Sequence, residues 1–213
     1  STNGFAAYKF TTTGVNGNIA LWNAADTDDY DPLNRYRSKR ATYVLPSYNE
    51  WYKAAYYKGG SLNAGYWDYT TGSDTAPTAV ASGTGTGGNG NNEAVYGGQS
   101  GPADVNLAGG LSPYGVMGLG GNVFEWEESS FDLTNSSGSS SRGARGGRWD
   151  LDSGFLSSST RGFGNPSGEG NGVGFRVASV SSSAPPAVPE PSMMVIGTLF
   201  GLGGLVAKRR MKK

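Results

Sequence analysis

The chain has 213 residues, 36 of them glycine, and contains neither histidine nor cysteine. Those two absences exclude disulfides, thiol nucleophiles, imidazole acid–base chemistry and the usual zinc, haem and iron–sulfur ligand sets, leaving carboxylates, hydroxyls, amines, backbone groups and oxygen-ligated metals. Seventeen basic and 17 acidic residues cancel, but five of the basic ones close the chain, so residues 1–207 are net acidic, which argues against a broad nucleic-acid footprint.

This length suits one globular domain. A glycine share more than double the ordinary ~7% predicts a fold dominated by turns and loops. The chain opens on Ser1 with no initiator methionine and no basic–apolar leader, the pattern expected of a processed or longer precursor. Residues 5–10 are apolar enough for a strand, and residues 15–18 read as a tight turn. Asp26, Asp28, Asp29 and Asp31 bring four carboxylates together. That run lacks the glycine and terminal glutamate of an EF-hand loop, so it reads either as a solvated acidic loop or as a calcium site.

The clearest helix signal begins at Pro46. Ser47 can cap it, Glu50 three residues later can return the capping box, and Pro46 and Trp51 stand at staple positions. Trp51, Ala54, Ala55 and Lys58 recur at helical spacing, and Gly59 and Gly60 predict the stop. Glu50 therefore reads as a cap rather than as a catalytic acid. Residues 81–92 are mainly Ser, Gly, Thr and Asn, which bury too little surface to offset ordering entropy and predict a long surface loop. Tyr66, Trp67, Asp68 and Tyr69 form an aromatic island, either a ligand-binding surface or a set of core anchors, and Tyr114 is a further attachment point.

In the segment SPYGVMGLGGNVFEWEESS, Val123, Phe124 and Trp126 can anchor a strand, while Gly118, Gly120 and Gly121 permit close backbone approach. Glu125 reads either as a rim or buried hydrogen-bonding carboxylate or as a calcium ligand assisted by nearby carbonyls. Residues 145–149 predict a strand entering a core near a turn, and residues 173–178 the last strand of the domain. Arg161 and Arg176 suit ion pairing across loops or anion binding.

Composition changes after Val180. Residues 181–192 are a Pro/Ser linker, residues 193–207 an uncharged stretch of 15 residues, and residues 208–213 a basic tail. As a helix the apolar stretch spans roughly 22 Å against a hydrocarbon core of roughly 30 Å, a gap that flanking residues and basic stems can bridge. The basic tail predicts a cytoplasmic end, with residues 1–180 outside the inner membrane. Gly197 and Gly201 have GxxxG spacing, a helix-pairing pattern that glycine content alone also produces.

LPSYNEWYKAAYY, YWDYTTGSDTAPT, SPYGVMGLGGNVFEW, RGGRW and GFRVA, in that order over residues 41–178, resemble the formylglycine-generating-enzyme family, also called sulfatase-modifying-factor domains. VPEP, followed by the apolar stretch and KRRMKK, resembles a PEP-CTERM sorting signal with Pro189, Glu190 and Pro191 as its motif. The first resemblance implies a loop-rich α+β domain over residues 1–180, related to the C-type-lectin-like fold, with short strands and few helices. It also implies more chain before the helix, so an N-terminally incomplete or divergent copy is expected. Formylglycine-generating enzymes are copper-dependent oxidases with a cysteine pair after the motif that reads RGGRW here. The resemblance puts Leu151 and Leu156 at those positions, so copper and formylglycine formation are not expected and no catalytic residue is assigned. The family's calcium site carries over in part: Gly121 and Val123 would supply backbone oxygens and Glu125 a carboxylate, while Gly118 stands where an Asn or Asp is usual.

The sorting-signal resemblance implies export in a Gram-negative bacterium, recognition by an exosortase-type system, and inner-membrane tethering through residues 193–207 before release to the cell surface or matrix. The combined expectation is a noncatalytic cell-surface or extracellular-matrix module that binds a carbohydrate or an extracellular protein, and no nucleic acid. The alternatives are a family enzyme with a different metal- or oxygen-dependent reaction, and a structural protein of an exopolysaccharide matrix.

Overall fold

The computed structural model describes residues 6–10, 19–60, 64–83 and 91–180. All of them belong to the unit Ser1–Val180; the second unit, Ser181–Lys213, lies outside the described residues, and with it the linker, the Pro189–Glu190–Pro191 motif, the apolar stretch and the basic tail. The turn expected at residues 15–18 lies outside them as well. Among the described residues, no helix is long and apolar enough to cross a membrane.

Strand β1 (Lys9–Phe10), from the expected 5–10 strand, pairs antiparallel with β2 (Ile19–Ala20), and Tyr8 before it bridges Arg37. After β3 (Tyr43–Val44) comes helix α1 (Tyr48–Tyr56), whose start follows from its capping box. The Ser47 hydroxyl accepts from the Glu50 amide at 3.4 Å, and the Glu50 carboxylate accepts from the Ser47 amide at 2.7 Å, which satisfies two of the orphan donors at the helix start. The inner face of α1 buries Trp51, Ala55 and Tyr56, which with Leu119 form the hydrophobic core, flanked by Tyr52 and Val116.

The helix stops earlier than its glycines predict. Tyr57 already has extended backbone angles and bridges to Tyr66; the Lys58 amide donates to the Gly65 carbonyl and the Trp67 amide to the Tyr56 carbonyl, each at 2.8 Å. Tyr56 rather than Lys58 therefore completes the buried stripe, Lys58 is exposed, and Ala54 is only half-buried. Gly59 and Gly60 sit in the turn beyond the helix.

Short strands β4 (Thr78–Ala79) and β5 (Glu93–Ala94) pair in parallel on either side of the expected 81–92 loop, whose described ends carry no helix or strand. The main sheet is built from β6 (Phe124–Ser130), β7 (Arg142–Arg145), β8 (Gly162–Gly164) and β9 (Val173–Gly174), in the order β8-β7-β6-β9. β6 and β7 are antiparallel, as are β7 and β8, whereas β9 runs parallel to β6. The last strand, β10 (Ala178–Ser179), returns to pair antiparallel with β3.

Two expected strands are reshaped. Residues 173–178 are not one strand: β9 and β10 belong to different sheets, and Arg176 between them turns inward to Glu125. Residues 145–149 are not a strand either, because β7 ends at Arg145 and Gly146 and Gly147 take φ of 95° and 74°, a left-handed turn that side-chain-bearing residues resist. One α-helix, ten short strands and long connections among the described residues make this a loop-rich α+β fold. Ser47→Ala removes the cap acceptor and should lower stability by about 1 kcal/mol without changing the fold, measured by urea unfolding alongside circular dichroism.

Candidate functional site

Strand β6 reads FEWEESS, and three of its seven residues are buried glutamates. Simple alternation would bury only one face. A register shift between Trp126 and Ser130 breaks the alternation and lets Glu127 and Glu128 both lie inside. Glu125 accepts from Arg176 Nε at 2.5 Å, from the Arg176 Nη2 group, and from the Trp51 indole N–H at 2.8 Å. Glu127 takes two arginines, Arg145 Nε at 2.9 Å on one oxygen and Arg161 Nε and Nη2 at 2.8 and 2.6 Å on the other. Glu128 is clasped by Arg37 Nε at 2.8 and 2.9 Å, the Asn34 amide at 2.6 Å and the Tyr8 hydroxyl at 3.0 Å.

A carboxylate taken out of water without a partner costs several kcal/mol, so these arginines are a condition of the strand's burial. Gly143 on β7 makes the Glu127 triad possible: a Cβ at that position would collide with the Glu127 carboxylate and the Arg161 guanidinium. The guanidiniums also rest on rings, Arg145 4.9 and 5.0 Å from the Tyr48 and Tyr52 centroids and Arg161 4.8 Å from Tyr48. Arg37 extends the network to the helix cap, reaching Glu50 at 3.1 and 2.8 Å. Burial alone would lower the Arg37 pKa, but the carboxylates of Glu50 and Glu128 hold it above its ordinary value. Burial likewise pushes the Glu50 carboxyl up, and is outweighed by hydrogen bonds from Arg37 and the Ser47 amide, so its pKa lies below the usual range.

Glu125 is thus a buried hydrogen-bonding carboxylate with both oxygens engaged. Calcium there would have to displace a guanidinium, so the Glu125 carboxylate does not fit such a site as it stands. At Gly118, where the family resemblance expects Asn or Asp, a Cβ would lie 2.9 Å from the Ala108 methyl. The acidic run is also taken up by partners. Asp26 pairs with Lys9 at 2.6 Å, Asp29 with Arg40 at 2.8 Å, Asp28 approaches Arg40 at 3.7 Å, and Asp31 accepts from the Leu33 amide at 2.8 Å. Among the described residues, no group of three or more metal-capable side chains gathers.

Leu156 ends a short 3-10 helix, Ser153–Leu156, capped by Asp152, and is 1% exposed. A Cβ on Gly147 would lie 2.7 Å from its side chain, so the second glycine of RGGRW and Leu156 need each other's dimensions. Leu151 is half-buried, and its carbonyl accepts from the Gly97 amide at 2.8 Å.

The aromatic island separates. Tyr66 is 46% exposed and joins a tyrosine cluster, with its ring centroid 4.8 Å from Tyr52 and 5.6 Å from Tyr57. Tyr57 lies nearly parallel to Tyr114, at 6.3 Å and 7°, and Tyr114 is 54% exposed. Lys53 sits 5.3 Å over the Tyr57 ring. Trp67, by contrast, is half-buried beneath Lys58, 4.1 Å from its ammonium, and Lys58 pairs with Asp74. Tyr69 is half-buried and bridges Ser73 and Ser157 by its backbone, while Asp68 is exposed. Tyr57 and Lys53 escaped the sequence reading because the helix periodicity assigned them no face. Their signal was the density of tyrosines around the helix end.

A family profile described as "Sulfatase-modifying factor enzyme 1-like domain" matches residues 20–180. No curated protein matches. Among solved structures, Treponema denticola variable protein 1 is similar at 20% identity with a TM-score of 0.46, over 71% of this chain and 54% of that one. A protein titled "Crystal Structure of CarF" is similar at 22% identity with a TM-score of 0.43, over 68% of this chain and 51% of that one. The chain spans about half the length of each of these structures.

Replacing Glu127 by Ala strands two guanidiniums and should cost about 3–5 kcal/mol in urea unfolding, whereas Lys9→Ala, which cuts a partly exposed pair, should cost no more than about 1 kcal/mol. The lowered pKa of Glu50 means that its contribution to stability is complete above the unfolded value of about 4.3 and is lost as pH falls through the lower folded value. Melting temperature should therefore drop more steeply on acidification below that value in the wild type than in Glu50→Gln.

Proposed function

The chain belongs to the sulfatase-modifying factor enzyme 1-like family, and from that membership we propose that it is a noncatalytic member, an exported module that binds carbohydrate at the cell surface or in the extracellular matrix. The observation that carries this reading is the state of Leu156, which the family resemblance puts at a thiol position: it is buried and packed into the space that Gly147 leaves open. Copper-dependent oxidation of a cysteine needs two thiolates, and a chain with no cysteine supplies neither. Two leucines do not fit copper, and no step is assigned through it.

What supports a binding role is the exposed tyrosine surface at the end of the helix. Tyr66 and Tyr114 expose large ring areas on side chains with only two rotatable torsions, so little entropy is lost when a ligand covers them. A sugar ring presents C–H groups on its faces and hydroxyls at its rim. Flat tyrosine rings match the faces, and phenol hydroxyls together with Lys53 match the rim. The proposed route to the surface runs through Pro189, Glu190 and Pro191, an exosortase-type processing system, and a temporary hold in the inner membrane by residues 193–207. Calcium is not part of the binding step, because Glu125 is committed to Arg176 and Trp51.

Purified protein should bind the exopolysaccharide of its own source in a sedimentation assay, and the Tyr66→Ala/Tyr114→Ala double variant should bind at least about tenfold more weakly, equivalent to about 1.4 kcal/mol. Added calcium should change neither the binding nor the melting temperature. Copper-dependent conversion of a cysteine peptide to formylglycine by the purified chain would overturn the noncatalytic assignment. Mass spectrometry of the cellular protein should find a chain ending near Pro191.

A further inference from the structure

A second concave site lies where the N-terminal turn of α1 meets the connection after β6. Its volume is about 330 Å³, within the range of about 300–1,000 Å³ typical of small-molecule pockets. Three side-chain amides, Asn34, Asn49 and Asn135, and two hydroxyls, Ser47 and Ser129, line it together with Tyr48. None of the lining residues is acidic or basic. Nothing in the lining therefore selects for an anion or a cation. Amides and hydroxyls donate and accept in both directions, which is the hydrogen-bonding character of a polyol.

Several of these groups are fixed on one side and open on the other. The Asn135 side-chain oxygen accepts from the Ser130 amide at 3.0 Å and from the Ser130 hydroxyl at 3.1 Å, which holds the carbonyl and leaves the amino group without a partner among the described residues. Ser129 accepts from the Tyr48 amide at 3.0 Å, so its hydroxyl oxygen is anchored while its proton has no acceptor among the described residues, whereas the Ser47 hydroxyl accepts from the Glu50 amide at 3.4 Å and is also engaged by the Glu50 carboxylate. Two of the first three amides of α1 are consumed by these contacts, so the site does not depend on an open helix end. The Asn49 side-chain amide makes no hydrogen bond to the described residues and is free in both directions. Asn34 is pinned by Glu128 and by the Tyr36 amide, which ties the pocket wall to the buried ion network. Leu133, half exposed, adds an apolar patch for the C–H face of a ring.

We propose that this pocket binds the end of a neutral saccharide, one or two sugar units, separately from the exposed tyrosine surface. The open donors of Asn135 and Ser129 meet ligand hydroxyl and ring oxygens, Asn49 both gives and receives, and Leu133 and Tyr48 cover ring carbons.

Calorimetric titration with neutral monosaccharides and disaccharides, with glucuronate as the charged control, tests the assignment. The wild type should bind at least one neutral sugar saturably, with an affinity unaffected by added salt and no gain for glucuronate. Asn49→Trp, which fills the pocket from a position that makes no internal hydrogen bond, should lower that affinity at least tenfold while leaving the melting temperature unchanged, and Asn49→Ala should lower it by a smaller factor. The Tyr66→Ala/Tyr114→Ala variant should keep the small-sugar affinity. Loss of polymer binding in that variant with small-sugar binding intact separates the two sites. No binding of any neutral sugar by the wild type, unchanged binding by Asn49→Trp, loss of small-sugar binding only in the tyrosine variant, or a salt-sensitive preference for glucuronate would each overturn the assignment.

Discussion

Three carboxylates buried on one strand must each meet a cation, and most of the architecture follows from that requirement. Glu125 draws Arg176 inward from the segment between β9 and β10 and accepts the indole of Trp51 on α1. Glu127 ties β7 to the chain beyond the 3-10 helix through Arg145 and Arg161. Glu128 gathers Tyr8, Asn34 and Arg37 from the N-terminal region, and Arg37 passes the link on to the helix cap at Glu50. The apolar cluster around Trp51 is small, and a chain without cysteine has no covalent staple. Directional ion pairs take over the task of saying which loop lies where, because an arginine in the wrong place leaves a buried charge alone.

This division explains which features could be read along the chain. The capping box was legible because Ser47 and Glu50 are three residues apart and their bonds are local. Trp51 and Ala55 were legible from helical spacing, and the aromatic positions of β6 from strand propensity. The partners of Glu125, Glu127 and Glu128 were not, since Arg176, Arg161 and Arg37 stand 51, 34 and 91 positions away. The long strand expected at 173–178 failed for the same reason: Val173, Phe175 and Val177 fit a strand pattern, but the demand of Glu125 for Arg176 divides the segment between two sheets. Glu125 itself admitted two readings until its partners were known. The tyrosine surface was half legible. Tyr66 was singled out, yet Tyr57 and Tyr114 join it only through the bridge that ends the helix early.

Turn and packing meet at RGGRW. Gly146 and Gly147 turn the chain after β7, and Gly147 leaves the space into which Leu156 packs. Gly146 thus serves the turn, whereas Gly147 serves both the turn and the packing of Leu156. The polar pocket, by contrast, shares Asn34 and Ser47 with the buried ion network and the helix cap, so its wall is fixed by the same contacts that hold the fold together.

The pairing of β10 with β3 has a mechanical corollary. The chain leaves this unit just past β10, where the Val180 amide donates to the Thr42 carbonyl. Tension applied beyond Val180 would first meet a two-residue ladder that can peel open one bond at a time. Four residues before Val180, Arg176 is anchored to the buried Glu125 carboxylate. Peeling would therefore arrest there, making the last few residues a frangible leader and that guanidinium the latch which spares the sheet from being drawn apart.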